Sequence, residues 1–116
     1  MSLHITPEMM EATYELLKLT PPFKRWKLPE PDTLEFRTIK LPDDNHGEMW
    51  KRANGSLCLT VNPLRHKTLA SATMTLAHEM VHLRLEAFKS REDHGPRFHK
   101  LADQVCRAHG FDRGQF

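Results

Sequence analysis

The stretch from residue 68 to residue 89 contains neither proline nor glycine, and its apolar side chains recur at helical spacing. Leu69, Thr73, Leu76, Met80, Leu83 and Ala87 follow one face, and Met74, Ala77, Val81 and Phe88 widen it. At about 100° per residue the apolar arc covers more than half the circumference. A long helix is therefore predicted here, buried on most of its sides. Its one polar stripe reads Ser71, Thr75, His78, His82 and Glu86. Arg84 falls on the apolar arc, and the sequence offers no account of it.

His78-Glu79-Met80-Val81-His82 is where chemistry enters. Residues four apart on a helix share a face, so both imidazoles can reach one metal ion. Glu79 lies about a quarter-turn away, where it can act on a water molecule instead of binding the ion. This H-E-x-x-H spacing is the working half of many zinc hydrolases. Eight histidines in 116 residues make a coincidental pattern easier to draw. A pair on the single polar stripe of a buried helix, however, fits a cleft lining better than a random surface.

A catalytic zinc site takes three protein ligands and keeps one position open. Glu86 is on the stripe, but about 12 Å along the axis from His78, too far for bonds of about 2 Å. The third ligand must come from another segment, and Glu92, Asp93, His94, His99, Asp103, His109 and His66 are the candidates. His94-Gly95-Pro96 selects among them, because glycine and then proline suit a helix start. Phe98, Leu101, Ala102 and Val105 follow at helical spacing, and Gly110 supplies the stop. His94 thus sits on a short return just ahead of a second helix. His99 is the second choice, His109 is expected to interact with the helix end, and His4, His46 and His66 are expected to face solvent.

Together, His78-Glu79-Met80-Val81-His82 and His94-Gly95-Pro96-Arg97-Phe98 resemble the SprT-like metallopeptidases, which include the Spartan proteases. The family's H-G-x-x-F element carries its third zinc-binding histidine, which the resemblance assigns to His94. Gly47, Trp50, residues 57–61, Asn62-Pro63 and Leu76 are similar to upstream parts of the family pattern, so the likeness runs from Gly47 to Phe111. The interval between His82 and His94 is short. The only cysteines are Cys58 and Cys106, with no C-x-x-C. The resemblance therefore implies a core domain without the zinc ribbon of many members, and that module's nucleic-acid contacts are not carried over.

Elsewhere, Thr6-Pro7-Glu8 reads as a helix start, with Met10, Tyr14 and Leu17 on one apolar face and Pro21-Pro22 as the stop. Residues 20–33 hold four prolines and are expected to be an extended connection wrapping the domain. Residues 34–41, 48–52 and 57–61 read as strands, the last two joined across Asn54-Gly55. Leu57, Leu59 and Val61 alternate with Cys58 and Thr60, which predicts one buried face. The fold class expected is α+β, a minimal zincin-like domain over residues 1–116. It comprises an N-terminal helix, about three antiparallel strands, the H-E-x-x-H helix and a closing helix. No apolar run is long enough to span a membrane, and no signal-peptide pattern opens the chain. Two distant cysteines then suggest thiols in a reducing, cytoplasmic setting. A net charge of +2 makes no case for nucleic acid. Lys24-Arg25-Trp26-Lys27 is a local basic patch that would support such binding only weakly.

The expected activity is that of a zinc metallopeptidase holding one Zn²⁺ on His78, His82 and His94. Glu79 would move the proton, and an extended protein or peptide would be the substrate. His99, Arg97 and Tyr14 are the candidates for donating to the developing oxyanion. Two alternatives belong to other classes. A deformylase-like amide hydrolase would use an upstream cysteine as ligand, and Ser56-Leu57-Cys58 lacks the Gly-Cys-Leu order such enzymes show. A zinc-stabilised binding module would need a fourth ligand, from His99 or an acid.

Overall fold

A computed structural model of the chain describes residues 4–87 and 94–116. Helix α1 spans Pro7–Lys18, and the Thr6 side chain accepts a hydrogen bond from the Met9 amide at 3.2 Å. Met10, Tyr14 and Leu17 turn inward as their spacing requires. The Tyr14 hydroxyl donates to the Pro29 carbonyl at 2.6 Å, and its ring meets Phe36 edge-on at 5.4 Å. Burial pushes the phenol pKa upward, so this group stays a donor and takes no part in the cleft described below.

The proline-rich connection is less extended than its composition suggests. It makes 3-10 turns at Phe23–Arg25 and Pro31–Thr33, and it buries Phe23, Trp26 and Leu28. The indole of Trp26 packs edge-on against Phe23 at 5.1 Å. The basic patch around it therefore has no exposed aromatic on which a base could stack. The same turn explains Arg84, whose Nη1 donates to the Trp26 carbonyl at 2.7 Å. An arginine on the apolar face of a buried helix is accommodated because it satisfies a backbone oxygen of the wrap.

Three strands form one sheet: β1 (Leu34–Thr38), β2 (Gly47–Lys51) and β3 (Leu57–Val61), in the order β1-β3-β2. The all-antiparallel expectation is corrected here. β2 and β3 are an antiparallel hairpin, but β1 runs parallel to β3, with Leu34 opposite Leu57 and Thr38 opposite Val61. The physical reason is the link from β1 to β2, which is too long for a tight turn. It passes the end of β3 through a 3-10 turn at Pro42–Asp44. The hairpin also differs from a two-residue Asn-Gly turn. Arg52 pairs with Ser56, the Gly55 amide donates to the Arg52 carbonyl, and only Gly55 has positive φ, at 90°. That is a three-residue loop, closed by the left-handed glycine such loops need.

The register sorts the sheet's two faces. Phe36, Leu59, Met49 and Val61 meet the helices, whereas Glu35, Cys58, Trp50, Arg37, Thr60 and Glu48 share the outer face. Cys58 and Thr60 are nevertheless buried, contrary to a simple alternation. They are small side chains on the central strand, flanked by larger ones from both neighbours. Arg52 lies over the Trp50 ring at 5.0 Å and pairs with Glu35, which closes this cover. Burial raises the thiol pKa of Cys58 and of Cys106, as expected for packed, unreactive thiols.

Helix α2 covers Leu69–Ala87, and α3 covers Pro96–His109 with Gly110 at φ 72° ending it. Leu76, Met80, Val81 and Leu83 of α2 join Phe98, Ala102 and Val105 of α3, the α1 face and the inner sheet face in one apolar cluster. Leu69 and Ala87, predicted on the inner face, are exposed near the ends of α2. The Thr20 hydroxyl donates to the Leu17 carbonyl, so the His109 Nε2–H donates to the Thr20 oxygen at 2.9 Å. That bond ties the end of α3 to the end of α1. Among the described residues, no helix is long and apolar enough to cross a membrane.

Candidate metal centre

The helical stripe brings His78 and His82 side by side, ring centroids 5.1 Å apart, as their four-residue spacing dictates. His94 precedes α3 by two residues and swings its ring over both. Its Nε2 lies 3.2 Å from Nε2 of His82 and 3.4 Å from Nε2 of His78. Three nitrogens about 2.0–2.1 Å from one tetrahedral ion would be about 3.3–3.4 Å apart. The donor set therefore fits a metal. A neutral imidazole carries one N–H, so direct hydrogen bonds cannot account for three like nitrogens facing a common point. Among the described residues, these three histidines are the group able to hold a metal ion.

One side chain underlies all three rings. Phe98, buried at 2 % exposure, is 4.9 Å from His78, 4.9 Å and stacked with His82, and 4.7 Å edge-on to His94. It belongs to α3, whose start is set by Gly95 and Pro96. The same short segment thus delivers an imidazole and the apolar platform beneath it.

Glu79 occupies the boundary between α2 and β2. It is 6 % exposed, and its Oε2 would stand 3.2 Å from a Cβ placed on Gly47. Such a Cβ would also come within 2.6 Å of Thr75 Cγ2 and 3.0 Å of the Thr60 carbonyl. The strand approaches the helix so closely because residue 47 has no side chain. Thr75 and Glu79 are thereby shut under β2, although they read as polar positions in the sequence. Gly47→Ala should lower stability by about 1–3 kcal/mol, the usual cost of overpacking, as read by urea unfolding. Adding Thr75→Ser removes the worst contact and should restore part of the loss, whereas simple additivity would count against this close approach.

His78, Glu79, His82 and His94 line a cleft of about 680 Å³ together with residues 44–49, Met74, Thr75, Gln115 and Phe116. Asp44, in its lining, and the preceding Asp43 hold left-handed φ values of 54° and 57°. Buried Asn62 secures this stretch: its amide donates to the His46 carbonyl at 2.8 Å, and its Nδ2 donates to the Asn45 carbonyl at 2.9 Å.

The other candidates lie elsewhere. His66 is buried, not solvent-facing: its Nε2–H points at the His46 carbonyl, 3.4 Å away, and Ser71 donates to its Nδ1 at 2.7 Å. Desolvation holds its pKa below the usual histidine value; the hydrogen bond to the His46 carbonyl opposes this, and the charges of His46 and Arg65 add smaller lowering contributions. Protons therefore bind the unfolded chain more readily than the folded one. His66 costs stability as pH falls from about 6.5 towards that lowered value. Metal-free His66→Gln should lose less stability than metal-free wild type between pH 7.5 and 5.5 in urea titrations. Identical losses would remove His66 as a cause.

His99 accepts from Arg113 Nη2 at 2.6 Å, and Asp103 accepts from Arg113 Nε at 2.7 Å. Glu86 pairs with Lys51 at 3.0 Å. Glu92 and Asp93 lie outside the described residues. Neither His99, Arg97 nor Tyr14 lines the cleft, so no expected oxyanion donor is brought to it. Met49, Met74, Gln115, Phe116 and the 44–46 rim carry no local signal of the cleft in the sequence, since proximity across the fold leaves no local pattern.

Comparison with protein families decides the identity. The SprT-like family pattern matches residues 49–114, more than half the chain, and that span includes all three histidines, Glu79 and Phe98. The chain belongs to the SprT-like family. Comparison with curated proteins gives no match. The match begins within β2 and ends beyond α3, so it takes in the hairpin, both helices of the cleft and the turn after Gly110.

Proposed function

We propose that this SprT-like chain is a zinc-dependent metallopeptidase whose metal is held by His78, His82 and His94 and whose proton carrier is Glu79. The observation carrying this reading is the triangle of Nε2 atoms at 3.2 and 3.4 Å, with a carboxylate from the same helix lining the same cleft. When bound, zinc supplies Lewis acidity, making a water molecule acidic near neutral pH and polarising a carbonyl. Glu79 takes the proton of the attacking water on a carboxylate oxygen and returns it to the leaving amine.

The substrate proposed is an extended protein segment. β2 is an edge strand, and Glu48 and Trp50 direct their backbone groups to β3, so those of Gly47, Met49 and Lys51 point away from it. An extended chain can pair along that edge beside His78 and Glu79. Substrates bound to DNA and a cytoplasmic location remain within this proposal, the latter supported by two buried free thiols. A deformylase-like set is less favoured, because Cys58 lies on the outer sheet face. A purely structural site is less favoured because no fourth ligating side chain joins the cluster among the described residues.

Elemental analysis should find about one zinc per chain and its loss in His94→Ala. Casein cleavage should stop with a chelator and return with zinc, measured with and without single-stranded DNA. Full zinc in His94→Ala would sink the ligand assignment, and zinc-loaded protein that cleaves nothing would sink the peptidase.

A further inference from the structure

Beyond Gly110 the chain doubles back into the cleft. Phe111 stacks on His109, and residues 112–116 fold into two small turns. The Gly114 amide donates to Asp112 Oδ1 at 2.9 Å, and the Gln115 and Phe116 amides donate to the Asp112 and Arg113 carbonyls at 3.0 and 3.4 Å. Arg113 fastens this strap to α3 through Asp103 and His99, which lie one turn apart on that helix. The Phe116 ring consequently rests 5.2 Å from His78 and stacks 6.1 Å from Phe111.

Most of the cleft lining is polar, and Met49, Met74 and Phe116 are its large apolar members. Met74 stands one turn before His78 on α2, in the same cleft lining as Phe116. Phe116 is not a plug. It packs against the core cluster, and the cleft volume remains beside it.

We infer that Phe116 is a specificity-determining residue, held by the strap as the apolar wall of a subsite beside His78 that takes an aromatic or large aliphatic substrate side chain. The inference rests on the metallopeptidase reading. Arg113 is its positioning residue, acting through the strap without touching substrate. An apolar wall discriminates by the area it desolvates, and apolar pockets separate side chains by about 10–200-fold per group recognised.

The test uses cobalt-loaded protein and two probes, glycine hydroxamate and phenylalanine hydroxamate, with binding followed by the visible absorption of the ion. Wild type should favour the phenylalanine probe by about 10-fold or more. Phe116→Ala should bring that preference close to unity, Phe116→Leu should keep part of it, and Arg113→Ala should lower it in the same direction. The cobalt content and thermal melting of each variant check that site and fold persist. If Phe116→Ala misfolds, Phe116→Leu and Arg113→Ala still report on the wall. An unchanged preference in folded, cobalt-loaded variants overturns the inference, as does a wild type with no preference. Failure of wild type to take up cobalt overturns the metal reading and the wall with it. Selective probe binding without peptide cleavage leaves the wall standing and removes the peptidase.

Discussion

Glu79→Gln should keep its full complement of metal and yet turn over substrate about 10²–10⁴-fold more slowly, the range that positioned acid–base groups supply. The substitution preserves shape, so the close packing against Gly47 and Thr75 persists. What disappears is the ability to accept a proton. Because the side chain is only 6 % exposed, bulk water cannot readily substitute for it. Steady-state cleavage of a fluorogenic peptide, with zinc content measured on the same sample, gives the answer. A variant that hydrolyses at the wild-type rate removes Glu79 from the chemistry. One that loses zinc assigns the carboxylate to the ligand set.

Phe98→Ala should do the most damage of any single change outside His78, His82 and His94. Deleting a fully buried phenyl ring costs about 3–5 kcal/mol, and here the void would open directly beneath three imidazoles. Their orientation depends on that ring, with centroids between 4.7 and 4.9 Å away. Metal affinity should fall by about 10–100-fold, the usual effect of losing a group that orients ligands. Phe98→Leu refills much of the volume without the flat surface, so it should recover more stability than affinity. Chemical unfolding of metal-free protein and competition against a zinc chelator separate the two quantities. Proportional recovery of both by leucine would reduce Phe98 to a packing residue.

Much of this was legible in the sequence. The unbroken apolar run of α2 and the single polar stripe placed His78 and His82 on one face. Gly95-Pro96 and Gly110 marked the limits of α3. These are local signals, set by spacing and by backbone preferences within a few residues. The parallel pairing of β1 with β3 was not legible, because strand partners are chosen by tertiary packing and the β1–β2 link carries no unambiguous turn signature. Nor was the burial of His66, which depends on His46 and Ser71 meeting across the fold. Phe98 was visible as a core residue and as the last position of the H-G-x-x-F element, but not as the platform under three imidazoles, and Phe116 was not visible at all. What made them notable is which rings they touch.

The edge position of β2 has a cost as well as a use. An unpaired strand margin will accept any extended chain, including another copy of this protein or a partly unfolded one. Exposed Glu48 and charged Lys51 border that margin and act as gatekeepers, since like charges resist in-register stacking of identical strands. Neutralising both would therefore threaten colloidal behaviour before it threatened folding, and concentrated stocks would be where the damage first surfaced.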